Sequence, residues 1–162
     1  ATEAVPLRRT EQALKEVIDG ANSSLLIVSF VTYKVDEIMV ALKRASDRGV
    51  ELRMVYETEK DSGGKLSFDQ VARIHKLVPG ANIYRWPLSK RQVNEANRPG
   101  TIHAKCAIAD RQVALISSAN LTEFALELNM ELGVLVRGGF VAKSIEKHFD
   151  ELIARGVLEA IQ

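Results

Sequence analysis

The stretch TIHAKCAIADRQVALISSANLT, residues 101 to 122, holds the side chains whose types and spacing could do chemistry. His103 and Lys105 stand two positions apart. On a strand, successive side chains alternate between faces, so this imidazole and ammonium project to one side while Ala104, Cys106 and Ile108 turn the other way, into a core. Such a pair suits a phosphate. Lysine supplies fixed positive charge, and an imidazole can attack phosphorus or move a proton near neutral pH. Further along, Ser118 and Asn120 close the next strand-like run at a turn, where a hydroxyl and an amide can donate to phosphate oxygens. All four groups can converge on one anion.

The spacing is His103-x-Lys105, four residues to Asp110, then six residues to Ser117-Ser118-Ala119-Asn120. It resembles the HKD motif of the phospholipase D superfamily, H-x-K-x4-D-x6-G-S-x-N, with Ser117 where many members have glycine. Downstream, Asn129 and Glu131 resemble the acidic element that follows the motif in the superfamily's single-motif nucleases. The resemblance implies that His103 attacks phosphorus to form a phosphohistidine while Lys105, Ser118 and Asn120 hold the phosphoryl oxygens. Glu131 would hydrogen-bond the far imidazole nitrogen, and Asp110 would brace the hairpin more than touch substrate. It implies no metal and no other cofactor.

In-line displacement at phosphorus puts nucleophile and leaving group on opposite sides, so one imidazole cannot serve both ends in one step. The chain has three histidines, His75, His103 and His148, and neither of the other two is followed by lysine two positions on. Both sit on predicted helices beside apolar residues and read as structural. A symmetric dimer would bring His103 of each copy across a two-fold axis, so a homodimer is expected for catalysis.

The elements that must position these groups can be read from periodicity. Residues 8 to 19 carry Leu14, Val17 and Ile18 at helical spacing and stop at Gly20; Ser24 to Val31 is a near-continuous apolar run, as in a strand covered on both faces. Asp36 can cap a helix to about Arg48, striped by Ile38, Met39, Leu42 and Ala45 and ended by Gly49, and Glu51 to Glu57 follows as a strand. Ser67 and Gln70 form a capping-box pair before Phe68, Val71, Ile74 and Val78, until Pro79-Gly80; Asn82 to Trp86 is a further short strand. Thr101 to Ala109 and Val113 to Ser117, separated by three residues, predict an antiparallel hairpin. A turn or short helix near Leu121 to Leu126, a strand from Met130 to Val136 and an amphipathic helix from Phe140 to Ala154 complete the order. The expectation is an α/β fold with a mixed, largely parallel sheet of about six or seven strands and helices on both faces; the resemblance of the motif implies the phospholipase D/nuclease-like kind.

Composition bounds the rest. The chain has 162 residues, 46% hydrophobic and 27% charged, which predicts one domain over its whole length. No apolar run reaches the roughly 18 to 20 residues of a membrane span. A net charge of +1 means that any polyanion site must be a local patch. Cys106 is the only cysteine, which excludes an intrachain disulfide and a multi-thiolate zinc site; it reads as a buried small hydrophobe. The start, ATEAVPLRRT, lacks Met and the apolar region of a signal peptide, as after removal of a processed leader or at an expression boundary; the expected location is cytoplasmic.

Between Tyr84 and Gly100, Arg85, Lys90, Arg91 and Arg98 outnumber Glu95, which suits a rim binding a nucleic-acid backbone or a solvated loop; Trp86 could stack a base or pack. Glu57 to Lys65, with Gly63-Gly64, reads as a mobile loop flanking the cleft. The expected activity is metal-independent cleavage of nucleic acid, DNA by preference, with no membrane partner. The alternatives are a phospholipase or cardiolipin hydrolase, and a non-catalytic nucleic-acid-binding module.

Overall fold

The computed structural model describes residues 9–28, 36–57, 68–119 and 131–161. Helix α1 (Thr10–Gly20) buries Ala13, Leu14, Val17 and Ile18 along one stripe, the spacing that a 3.6-residue period places on one face. Strand β1 (Ser24–Val28) has Leu25, Leu26, Ile27 and Val28 all at 0% exposure, because it is covered on both sides. Helix α2 (Asp36–Asp47) packs Ile38, Met39, Ala41, Leu42 and Ala45 inward. It ends at Gly49, whose φ of 84° lets Gly49 N–H reach Ser46 O at 2.9 Å and Val50 N–H reach Ala45 O at 3.1 Å, a Schellman closure that glycine adopts without steric cost.

Strand β2 (Glu51–Tyr56), helix α3 (Phe68–Leu77) and strand β3 (Asn82–Arg85) follow, then a hairpin of β4 (Cys106–Ala109) and β5 (Val113–Ser117). Strand β6 (Gly133–Arg137), helix α4 (Val141–Ala154) and the two-residue strand β7 (Glu159–Ala160) complete the described elements. One seven-stranded sheet runs β6-β5-β4-β1-β2-β3-β7. Only β1 with β2 and β2 with β3 pair parallel; the other four pairings are antiparallel. The fold is α/β with a mixed sheet, but the sheet is not largely parallel as expected: its parallel portion is confined to the first three strands, because the hairpin and the edge strands β6 and β7 all join antiparallel.

The period-two alternation of β1 divides the core. Leu25 and Ile27 join Leu52, Met54, Ile83, Ala107 and Ala109 under α1, α2 and α3. Leu26 and Val28 join Val55, Cys106, Ile108 and Ala114 on the other face, against Ala142 and Phe149 of α4. Each large aliphatic side chain so covered contributes about 1.5–3 kcal/mol relative to exposure. Helix α4 is also pinned by charge: Arg53 of β2 pairs with both Glu146 and Asp150, and Arg111 adds Nε to Glu146 at 3.4 Å and Nη2 to Asp150 at 3.1 Å. Burial works against the Arg53 charge, but the hydrogen bond and charge of Asp150, with Glu146 and Glu51, outweigh it and hold its pKa above the ordinary arginine value.

Four further expectations differ from this structure. The first strand of the hairpin is Cys106–Ala109, paired with β1 from Val28 opposite Cys106 to Leu25 opposite Ala109, and Thr101 to Lys105 precede it outside any strand. Ala104 is therefore exposed rather than turned into the core. The strand placed at Met130 to Val136 occupies Gly133–Arg137, and β7, paired antiparallel to β3 through Tyr84 with Ala160 and Arg85 with Glu159, has no sequence counterpart. The expected turn at 121 to 126 and most of the loop from Glu57 to Lys65 lie outside the described residues.

Candidate active site

The site is built where the chain enters β4 and leaves β5. Pairing of Cys106 with Ile116 brings the two ends together, and Ser117 N–H extends it by donating to Lys105 O at 3.0 Å. His103 is exposed, whereas Lys105 is 6% exposed. The Lys105 ammonium donates to the His103 carbonyl at 2.9 Å and lies 3.5 Å from His103 Nδ1. A buried cation thus stands directly beside an accessible imidazole, an arrangement suited to an anion in contact with both.

Across the hairpin, Ser118 Oγ donates to Glu131 Oε2 at 2.5 Å and accepts Leu132 N–H at 3.1 Å, while Ser118 N–H donates to Leu132 O at 3.0 Å. These bonds tie the end of β5 to the start of β6. Ser117 Oγ accepts Ala119 N–H at 3.0 Å, so the hydroxyl at the position where the motif often has glycine closes the turn locally. Gly133 lets β6 approach, since a Cβ there would stand 3.1 Å from Ile116 O and 3.3 Å from Ser117 Cβ. Asn120 and Asn129 lie outside the described residues.

Asp110 sits at the other end of the hairpin, with β4 between it and His103. Its carboxylate accepts Ser23 N–H at 2.7 Å, Asn22 N–H at 2.9 Å, Ser23 Oγ–H at 2.9 Å and Ser24 N–H at 3.0 Å. Partial burial disfavours the charged form, but these hydrogen bonds outweigh it and hold the Asp110 pKa below the ordinary carboxylate value.

The basic residues before the motif have mostly local partners. Arg85 lies 3.8 Å from Glu159, and Lys90 lies 2.5 Å from the same carboxylate and donates to Gly156 O. Arg91 is buried: it donates to Glu57 Oε1 at 3.0 Å, Gly100 O at 3.0 Å and Trp86 O at 2.8 Å, with its guanidinium 5.1 Å from the Trp86 ring centroid. Arg98 is exposed, with no ion pair among the described residues. Sequence reasoning missed Glu57, which takes Ile102 N–H at 2.7 Å as well as Arg91. Together Arg91 and Glu57 anchor the segment that carries His103 to the end of β2; the signal was a charge just past a strand, which no local pattern distinguishes from a solvated one.

A cavity of about 410 Å³ opens beside His103, walled by Ile102, Ala104 and Trp86 on one side and by His148, Phe149 and Leu152 of α4 on the other. His148, expected to be structural, is exposed and faces the same space as His103. His75 is on α3, across the sheet from α4. Cys106 packs in the core, and burial pushes its thiol up to about 12, far from a neutral-pH nucleophile. Among the described residues no His, Cys, Asp and Glu side chains cluster as metal ligands, and no helix is long and apolar enough to cross a membrane.

The family described as "Cardiolipin synthase, PLD-like domain" matches residues 14–153, and the chain belongs to the phospholipase D superfamily. In fold, the chain is similar to the phospholipase D family member Nuc from Salmonella typhimurium, with a TM-score of 0.69 and 21% identity over 94% of this chain and 90% of that one. NucT from Helicobacter pylori has a TM-score of 0.77 and 19% identity over 94% and 91%. In sequence, it is 28% identical to the DISARM protein DrmC of Bacillus paralicheniformis over 97% of this chain, and 26% identical to the probable cardiolipin synthase YwiE of Bacillus subtilis over 84%. The chain spans 61% of the first and 25% of the second.

Proposed function

We propose that this chain is a metal-independent phosphodiesterase that cleaves nucleic acid, DNA by preference, through a phosphohistidine on His103. The observation that carries the reading is the joining of the two motif halves: Lys105 Nζ 3.5 Å from His103 Nδ1, and Ser118 held by Glu131 at 2.5 Å, linked through the bond from Ser117 N–H to Lys105 O. In this reading an imidazole nitrogen of His103 forms the bond to phosphorus while the P–O bond opposite breaks and a second imidazole protonates the leaving oxygen. Water then displaces the histidine. Lys105 and Ser118, with Asn120, balance the phosphoryl charge. Of the four basic residues before the motif, Arg98 is exposed with no ion pair among the described residues, which suits contact with a nucleic-acid backbone.

The second imidazole is assigned to a second copy of the chain. Ile116, Val134 and Leu132, at 40%, 57% and 78% exposure, form an apolar patch at the β6 edge next to Ser118 and Glu131, and its burial against a copy would place two His103 rings near one axis. Mixing wild-type chain with a ninefold excess of His103→Ala should lower activity per wild-type chain about tenfold if sites are shared between copies, and leave it unchanged if each chain works alone. A lipid diester is the second reading, favoured by the family description and the apolar cavity beside His103. Assays with chelator on single-stranded DNA and on cardiolipin vesicles separate them: DNA cleavage that His103→Ala abolishes supports the first reading, and vesicle hydrolysis alone overturns it.

A further inference from the structure

We propose that the cavity between α4 and the segment before β4 receives one nucleobase next to the phosphate held at His103, so that the site selects nucleic acid whose bases are unpaired there. The inference rests on the nucleic-acid reading above and adds the form of the substrate.

His103 belongs to the wall of the cavity, so a group inside it lies beside the imidazole. Among the described residues no Lys, Arg, Asp or Glu lines the space, so the fixed positive charge for a phosphate is that of Lys105, outside this lining. Trp86 and Phe149 offer aromatic surface, and the Arg91 guanidinium 5.1 Å from the indole centroid stiffens that wall. His148 and Thr101 add polar atoms for the edge of a base. An acyl chain would fill the apolar part but use none of these polar groups.

Size supplies the selection. A volume of about 410 Å³, roughly 7 Å on a side if equidimensional, suits one base rather than a base pair with both of its sugars. A base still in a duplex would first have to unstack and unpair, a step that is cheapest in a single strand.

Trp86 is the chain's one tryptophan, and its emission reports on the cavity directly. Full-length His103→Asn, which prevents turnover, is titrated with a single-stranded 12-mer of thymidylate and with an equally long strand of abasic residues carrying the same phosphates. The expected result is quenching and about tenfold or tighter binding with the base-bearing strand, since base–aromatic stacking is of this order. Equal affinities with unchanged emission overturn the proposal, as does a response to cardiolipin vesicles but to neither oligonucleotide. In the catalytic assay, Leu152→Phe, which narrows the cavity, should slow cleavage of the base-bearing strand about tenfold more than cleavage of the abasic strand. Parallel loss on both strands also overturns the proposal. The two readings fail differently. A wild-type chain that hydrolyses methyl p-nitrophenyl phosphate but no oligonucleotide overturns the nucleic-acid reading, and the base site with it. One that cuts base-bearing and abasic strands equally overturns the base site alone.

Discussion

The two ends of the β4–β5 hairpin come from one motif and have opposite surroundings. At the turn, Asp110 and Arg111 adopt φ of 54° and 56°, and the Asp110 carboxylate is saturated by the N–H groups of Asn22, Ser23 and Ser24 and by the Ser23 hydroxyl. At the open end, His103 is exposed beside a cavity, and the buried Lys105 ammonium faces it. A closed, satisfied end holds register; an open one leaves polar groups for a ligand to complete. One motif with fixed spacing thus serves two purposes, a structural one at Asp110 and, in the proposed function, a chemical one at His103 and Lys105.

Substitutions at the two ends should therefore behave differently. His103→Ala should lower diester hydrolysis about 10³-fold or more, by loss of the nucleophile, and leave the thermal midpoint almost unchanged because the side chain is exposed. A variant that keeps full activity would erase the distinction between the ends. Arg91→Met should cost about 3 kcal/mol in denaturant unfolding by stranding Glu57. It should also depress activity by releasing the anchor at Ile102.

Asp110→Asn should cost about 1–3 kcal/mol in the same measurement, with kcat of the folded enzyme retained. Its pH dependence sharpens the point. Because the folded pKa of Asp110 is depressed, its contribution is fully present above the unfolded value near 3.9 and is lost as pH falls through the lower folded value. Unfolding curves below about pH 4 should thus be flatter for the Asn variant than for wild type. The smallest effect is expected for Ser117→Gly, which removes the acceptor of Ala119 N–H at a cost of about 1 kcal/mol and leaves the Ser118–Glu131 bond in place. A large loss of activity there would mean that the Ser117 hydroxyl itself contacts substrate.

Much of the fold was legible because its signals are local. The stripes of α1 and α2, the apolar run of β1 and the three-residue hairpin loop each follow from spacing along one segment. Reading failed where the deciding partner is distant. Thr101 to Lys105 has strand-like residues, yet lies outside the strand, its Ile102 N–H taken by the side chain of Glu57. Two residues of β7 are too few to show any period; they form a strand because β3 offers them an edge. Arg91 looked like part of a surface rim and is buried against Glu57 and Trp86.

From the sequence by itself came the residue types and offsets of the candidate site, and the two-residue alternation that sorts β1 between two core layers, since both depend only on the repeat of an extended chain. Which end of the hairpin is open, what holds the segment carrying His103, and the cavity it shares with His148 were decided by tertiary structure. Those features are made by segments far apart in the chain, and neither Glu57 nor α4 announces its contact with residues 101 to 105 until the sheet has brought them together.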